Sequence, residues 1–166
     1  MRFAILASTG FLVLATSAAN ASKPEIERPT GTPQGTGVTH MVRAIPEACA
    51  WLQGTFTGDA KAPYRFVPVR SSATCQARAR LVDPSKSKPS EANGWKLNDV
   101  IRIPSKDCPA LLAVVEIWRK SVDTQPPKLD AQGRSRIYLQ EAKNGPRTTD
   151  VTLYSARVST EGKACG

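Results

Sequence analysis

Two neighbouring β-prone segments, 111–120 and 134–142, carry the side chains best suited to form a binding surface. In the simplest hairpin register, which pairs the last residue of the first segment with the first residue of the second, apolar side chains fall on one face. Aromatic and charged side chains fall on the other face, and such a mixture is typical of protein and carbohydrate contact surfaces. The sequence therefore predicts a contact surface formed by Trp118, Arg136, Glu116 and Tyr138.

The same register also allows a purely structural interpretation. Trp118 stands opposite Arg136, so these two side chains would form a cross-strand cation–π pair. Glu116 would then neutralise neighbouring arginines, and the whole face would lie beneath a second layer of the fold. The sequence leaves both interpretations open, and the effect of Trp118→Ala on stability separates them.

A basic excess marks the chain, since 23 Lys and Arg residues exceed 14 Asp and Glu residues and give a net charge of +9. Arg78 and Arg80 lie on the polar side of an alternating segment. Because a positive surface attracts anions at long range, we expect these arginines to steer an acidic protein or an anionic envelope component. Nucleic acid is not expected for an exported chain with few aromatic residues, and a solvated basic face is the alternative.

Catalytic patterns are weak in this sequence. Ser85 and Lys88 match the S-x-x-K spacing of serine acyl enzymes, but no S-D-N or K-T-G motif follows them. The single histidine, His40, falls in a segment without apolar periodicity, and no glycine-rich phosphate-binding motif occurs. We therefore assign no catalytic residue and expect no cofactor, while a hydrolase that uses Glu116 with a second carboxylate stays as an alternative.

The N-terminus has the three regions of a secretory signal peptide. A short basic start precedes an almost wholly apolar stretch over 3–15, and Ala19-x-Ala21 is a small-residue cleavage site. The apolar stretch is shorter than the ~20 residues that a membrane helix needs. We therefore predict a signal peptide over 1–21, no transmembrane anchor, and a location in the bacterial periplasm or outside the cell.

Four cysteines, an even number in a chain predicted to be exported, favour two disulfide bonds. Three connectivities are open to four cysteines, and the sequence alone does not decide among them. A Cys49–Cys75 bond would tie a predicted helix to the sheet. A Cys108–Cys165 bond would hold the C-terminal tail, so this pairing is the one we expect. A metal site is the less favoured alternative, since no C-x-x-C spacing is present.

Turn residues and hydrophobic periodicity divide the chain into a leader, one helix and several strands. The stretch 22–44 is rich in Pro, Gly and Thr without apolar periodicity, which predicts a flexible leader. Pro46, Glu47 and a following apolar stripe predict a short helix over 46–53. Two-residue alternation predicts strands over 64–69, 73–82, 95–103, 111–120, 134–142 and 149–159, with a seventh if 55–57 pairs.

These elements predict a mainly β fold, either an antiparallel β-sandwich or a small barrel of six to seven strands with one short N-terminal helix. A single disulfide-tied β domain would span 45–166. The sequence as a whole predicts an exported, non-enzymatic binding domain that contacts a protein or an anionic envelope component, with an inhibitor or immunity-type role as one form. A secreted hydrolase of cell-wall or polysaccharide substrates and a structural accessory module held at an edge strand are the alternatives.

Overall fold

The computed structural model describes residues 22–121 and 151–165. The predicted signal peptide, 1–21, and the predicted strand 134–142 lie outside them. The described chain is mainly β, as the sequence predicts. Its strands are β1 (His40–Ile45), β2 (Ala50–Phe56), β3 (Tyr64–Arg70), β4 (Ala79–Val82), β5 (Lys96–Pro104), β6 (Leu111–Lys120) and β7 (Thr152–Gly162).

Two sheets contain these strands. β1, β2 and β3 form an antiparallel sheet in that order, and the second sheet has the order β4-β7-β6-β5. β4 runs parallel to β7, so the second sheet departs from the predicted antiparallel pattern. Neither sheet closes into a barrel within the described residues, so the barrel alternative is wrong for this part of the chain.

β6 has a neighbouring strand on both of its edges. It pairs with β5 on one side and with β7 on the other, along nearly its whole length. Both edges of β6 are therefore occupied, while 134–142, the predicted hairpin partner of 111–120, lies outside the described residues. The bounds of β6 itself are those that the alternation predicts.

The predicted helix over 46–53 is wrong beyond its first turn. A 3₁₀ turn spans Pro46–Ala48, and Cys49 then adopts a left-handed backbone conformation with a φ of 52°. Because that conformation ends a helix, the chain leaves the turn and enters β2 one residue later. The α-helix that the described residues do contain, α1, is a single turn at Pro84–Ser87 rather than an N-terminal element, and a second 3₁₀ turn spans Glu91–Asn93.

One hydrophobic core is shared by the two sheets. Leu52 and Phe56 enter it from β2, and Val115 and Ile117 enter it from β6; all four side chains are almost completely buried. The two residues of each pair are an even number of positions apart, so both lie on the same face of their strand. The strands are predicted from this same two-residue periodicity. Burial of this apolar surface is the main favourable contribution to folding.

Gly54 lies in β2 at a point where the Tyr64 phenol approaches its backbone. A Cβ atom at Gly54 would lie 1.7 Å from Tyr64 Oη and 2.7 Å from Val42 Cγ2. Gly54→Ala should therefore lower the free energy of unfolding by about 1–3 kcal/mol, because buried side chains must shift to make room. Urea unfolding measures this loss, and it should shrink in a Tyr64→Phe background. An unchanged unfolding midpoint for the single variant would contradict the packing described.

The segment 22–44, expected to be a flexible leader, lies along the edge of β5 and ends in β1. The amide of Ile26 donates to Asn98 O at 2.8 Å, and the amide of Gly31 donates to Arg102 O at 2.8 Å. These bonds cover backbone groups that an edge strand would otherwise expose. Hydrophobic periodicity does not reveal this contact, because it is made by backbone groups and ion pairs.

Two disulfides are present, Cys49–Cys75 and Cys108–Cys165, with Cα–Cα distances of 5.8 and 5.7 Å. They confirm the preferred pairing and leave no cysteine free. No helix in the described part of the chain has the length and apolar character to cross a membrane. The two disulfides are compatible with an extracellular or periplasmic protein.

Candidate functional site

The predicted contact residues Trp118 and Glu116 share one face of β6, and that face is turned away from the main core. Arg157 of β7 lies over the Trp118 ring, with its Cζ 5.4 Å from the ring centroid. The same guanidinium donates to Glu116 Oε2 at 2.8 Å, and Trp118 Nε1 donates to that oxygen at 3.4 Å. Arg157 thus makes the cation–π contact that the sequence interpretation gave to Arg136. The other two predicted contact residues, Arg136 and Tyr138, lie outside the described residues.

Trp118 belongs to a second, smaller apolar cluster on this face. Its side chain is only 5% exposed and packs with Trp95 and Leu97. Val82 and Leu153 complete the cluster from β4 and β7. Since the indole is covered and its N–H has an acceptor, Trp118 offers a partner little surface.

An apolar groove of about 700 Å³ lies where β3 and β4, the end strands of the two sheets, face each other. The Cys49–Cys75 disulfide lines it and joins the turn after β1 to the segment before β4. The volume falls within the ~300–1,000 Å³ typical of small-molecule sites. Its apolar wall includes Phe66, Pro68 and Val69 from β3, and Ala77, Leu81 and Val82 from the β4 side.

The β4 wall of the groove follows the alternation read from the sequence. Only Ala79–Val82 forms a strand, so the predicted strand 73–82 is shorter than expected. Its side chains nevertheless alternate over the longer segment, with Cys75, Ala77 and Leu81 lining the groove. Arg78 and Arg80, the predicted steering residues, lie between them in the chain and are exposed. Neither arginine lines the groove, and the strand register places Arg80 on the face of the second sheet that carries Trp118, two strands away from it.

The β3 wall ends in a strand edge that a proline interrupts. The amide of Thr57 donates to Pro63 O at 3.0 Å, and the amide of Ser71 donates to Cys49 O at 2.8 Å. By the alternation of an antiparallel ladder, the backbone of Pro68 then faces away from β2. Proline has no N–H to donate, so this edge is a poor template for an added strand.

Two charged residues line the groove, Arg70 and Asp83. Arg70 Nε donates to Ser72 O at 2.9 Å and its Nη2 donates to Ala73 O at 3.0 Å, so the loop after β3 braces the guanidinium. Asp83 caps α1, since its carboxylate accepts from the amide and hydroxyl of Ser85 at 2.9 and 2.8 Å. These hydrogen bonds lower the pKa of Asp83 and keep the carboxylate engaged locally. The groove is therefore apolar, with one cationic side chain, Arg70, and one anionic side chain, Asp83, which is hydrogen-bonded to Ser85.

His40, which the sequence places in the leader, is the first residue of β1. Its Nε2 lies 2.9 Å from Tyr64 Oη and its Nδ1 lies 3.3 Å from Val38 O. Since Val38 O can only accept, Nδ1 carries the proton and Nε2 accepts from the tyrosine hydroxyl. Burial lowers the pKa of His40 and raises that of Tyr64. The pair is a packed hydrogen-bonded contact, and both of its polar groups are satisfied within the fold.

His40 makes stability depend on pH in a defined window. Its pKa in the fold lies below the ordinary value of 6.5, so the unfolded chain takes up the proton first. Stability should therefore be highest above about pH 6.5 and should fall as the pH drops from there through the folded pKa. His40→Gln should flatten urea-unfolding midpoints across this window. Equal slopes of the unfolding midpoint against pH in wild type and His40→Gln would contradict the assignment to His40. The hydrogen bond from Arg119 lowers the pKa of Glu25, so the stability that Glu25 contributes is lost only below its ordinary pKa of 4.5.

A buried carboxylate, Asp99, joins three elements of the fold. Its side chain is fully buried, and Arg28 of the leader segment donates through Nε to both oxygens at 2.9 Å. Arg43 Nε of β1 lies 2.9 Å from Asp99 Oδ2, although its N–H points away from the oxygen. Bulges at Val42 and Asn98 turn Arg43 and Asp99 towards each other. All three charges are used in holding the elements together, and no group of three metal-ligating side chains occurs in the described residues.

Comparisons with known proteins identify no relative. Protein-family models, curated proteins and solved structures all gave no match to this chain. Among the features of the described residues, the groove has the clearest capacity to hold another molecule, because of its volume and its apolar walls. Sequence reasoning missed it because its walls come from segments separated in the chain, although the alternation of Cys75, Ala77 and Leu81 marks one wall.

Proposed function

We propose that this protein is an exported, non-enzymatic binding domain that holds an apolar part of its partner in the groove between β3 and β4. The observation that carries the proposal is the groove itself, about 700 Å³ of space with mostly apolar walls. Apolar pockets with a few placed polar groups are the usual form of binding sites. The partner is a protein or an anionic envelope component, and an inhibitor or immunity-type role is one form of this function.

Charge supports an anionic partner. The chain carries a net charge of +9, and Arg78 and Arg80 are exposed in the segment of the chain that also supplies the groove residues Ala77 and Leu81. Positive potential of this kind raises the rate at which anions are captured, and salt screens it. The arginines therefore act as steering groups, while the apolar walls supply most of the binding energy.

The alternatives receive less support from the described residues. A hydrolase would use Glu116, but Arg157 and the Trp118 indole N–H already hold that carboxylate. An accessory module held by strand addition would need an open sheet edge, and Pro68 interrupts the edge of β3. The predicted contact surface on β6 is also less favoured than the groove, because Trp118 is covered.

Two exposed alanines allow a matched test. Ala77 lines the groove, while Ala92, in the second 3₁₀ turn, does not. Tagged wild-type protein, Ala77→Phe and Ala92→Phe should be incubated with envelope extracts of the producing cells at low and at high salt. Ala77→Phe should lose the retained partner at both salt concentrations because the ring fills the groove. Retention that does not differ between the two variants would overturn the proposal.

A further inference from the structure

We propose that the groove takes the acyl chain of an anionic amphiphile, with its carboxylate or phosphate head beside Arg70. This inference rests on the proposed binding function and names the chemistry of the ligand. It follows from three properties of the groove: the apolar side chains of its walls, its volume, and the position of its charged residues.

The side chains of the walls suit a hydrocarbon ligand. Phe66, Pro68 and Leu81 present hydrocarbon, and Pro68 removes a donor from the edge of β3. The backbone of Phe66 faces the same way as that of Pro68 and still offers an N–H and a C=O at this edge. The apolar side chains and the interrupted edge favour an acyl chain, and a peptide that pairs with Phe66 instead would show as no binding of the acyl probes.

The volume of about 700 Å³ is also sufficient for a single hydrocarbon chain, as it exceeds the lower bound of ~300 Å³ for ligand pockets. Each methylene that enters apolar surroundings adds a fixed increment of binding free energy. Two further methylenes should therefore tighten binding roughly tenfold until the groove is filled. The change in affinity along a series of chain lengths therefore shows how much of the hydrocarbon chain enters the groove.

The charged residues favour an acidic head group. Two carbonyl oxygens of the loop after β3 brace the Arg70 guanidinium, which fixes its place at the groove and leaves further N–H groups to donate. Asp83, the acidic residue among those lining the groove, is occupied by Ser85. A carboxylate or a phosphate beside Arg70 therefore gains a charge-assisted hydrogen bond.

Isothermal titration calorimetry on the disulfide-intact protein tests the inference with defined probes: decanoate, dodecanoate and tetradecanoate, then tetradecanol and a tetradecanoyl lysophosphatidylglycerol. Affinity should rise roughly tenfold with each step of the carboxylate series. Ala77→Phe should lose at least about tenfold in affinity, and Ala92→Phe, which is exposed and does not line the groove, should match wild type. Arg70→Gln should weaken the anionic probes and leave tetradecanol unchanged. Comparing the fatty acid with the lysophospholipid shows whether a carboxylate or a phosphate head is preferred.

Three results would overturn the inference: no binding of any probe, binding without dependence on chain length, or equal binding by the two alanine variants. A circular dichroism melt of each variant verifies that a loss of binding is not a loss of fold. If acyl probes fail to bind while Ala77→Phe still abolishes partner retention from envelope extracts, the groove binds something else and the broader function stands. If Ala77→Phe also leaves partner retention unchanged, both proposals fail.

Discussion

Trp118→Ala should destabilise the protein by about 3–5 kcal/mol, the range typical of removing a buried tryptophan. The side chain is 5% exposed and forms, with Trp95 and Leu97, the centre of the second apolar cluster. Its removal leaves a cavity that neighbouring strands cannot close, since β6 is held by β5 and β7 on its two sides. Urea unfolding with the disulfides intact measures the loss.

Arg157→Gln is the matched control for Trp118→Ala. It removes the cation over the indole and the partner of Glu116 but keeps the apolar cluster. The pair is partly exposed, so the expected loss is only about 1 kcal/mol or less. If Trp118→Ala were as mild as Arg157→Gln and abolished partner retention, Trp118 would be a contact residue after all.

Asp99→Asn should lower the free energy of unfolding by about 3 kcal/mol, at the lower end of the range for breaking a buried ion pair. The substitution keeps the shape of the side chain but leaves two arginines facing a neutral amide. The side chain of Arg43 is only 22% exposed and has little access to water in compensation. Arg28, at 40%, can turn to solvent, which keeps the loss from being larger.

Arg28→Gln separates the two arms of this ionic cluster. Asp99 keeps Arg43 as its counter-charge, so the loss should be about 1 kcal/mol. The variant should also loosen the segment along β5, and amide hydrogen exchange at Gly31 should speed up relative to wild type. Equal stability of Asp99→Asn and wild type would show that the carboxylate does not hold these elements together.

The sequence predicts the strands of this fold better than their partners. Period-two alternation locates β6 and gives the side-chain directions from Cys75 to Leu81, because both depend only on local spacing. Which strands pair depends on the path of the chain, and β7 occupies the edge of β6 that the simplest hairpin would have used. The cation–π chemistry of Trp118 was foreseeable, while the identity of its arginine was not.

The end of the predicted helix and the contacts of the segment 22–44 could not be predicted for a different reason. Pro46 and Glu47 do start a helical turn, but the left-handed conformation of Cys49 ends it, and no local propensity predicts that a cysteine will adopt it. The leader is held by backbone bonds to β5 and by Arg28, neither of which leaves an apolar period in the sequence. Bulges add to the difficulty, because one extra residue reverses the direction of every later side chain, including Asp99.

The groove could not be predicted from the sequence, because its β3 wall and its β4 wall lie in separate segments. The Cys49–Cys75 bond that lines it belongs to one of three connectivities open to four cysteines. Only with both walls in place does Ala77, one alanine of an alternating segment, become a residue of an apolar groove.

Photo-crosslinking from inside the groove can capture the molecule that the groove holds. A benzophenone amino acid should be placed at position 77, or at position 92 as the matched control, in protein made by the cells that naturally produce it. Irradiation should give a covalent adduct from position 77 and little from position 92, and the mass of that adduct identifies the bound molecule. No adduct from position 77, or equal adducts from both positions, would contradict a binding function of the groove.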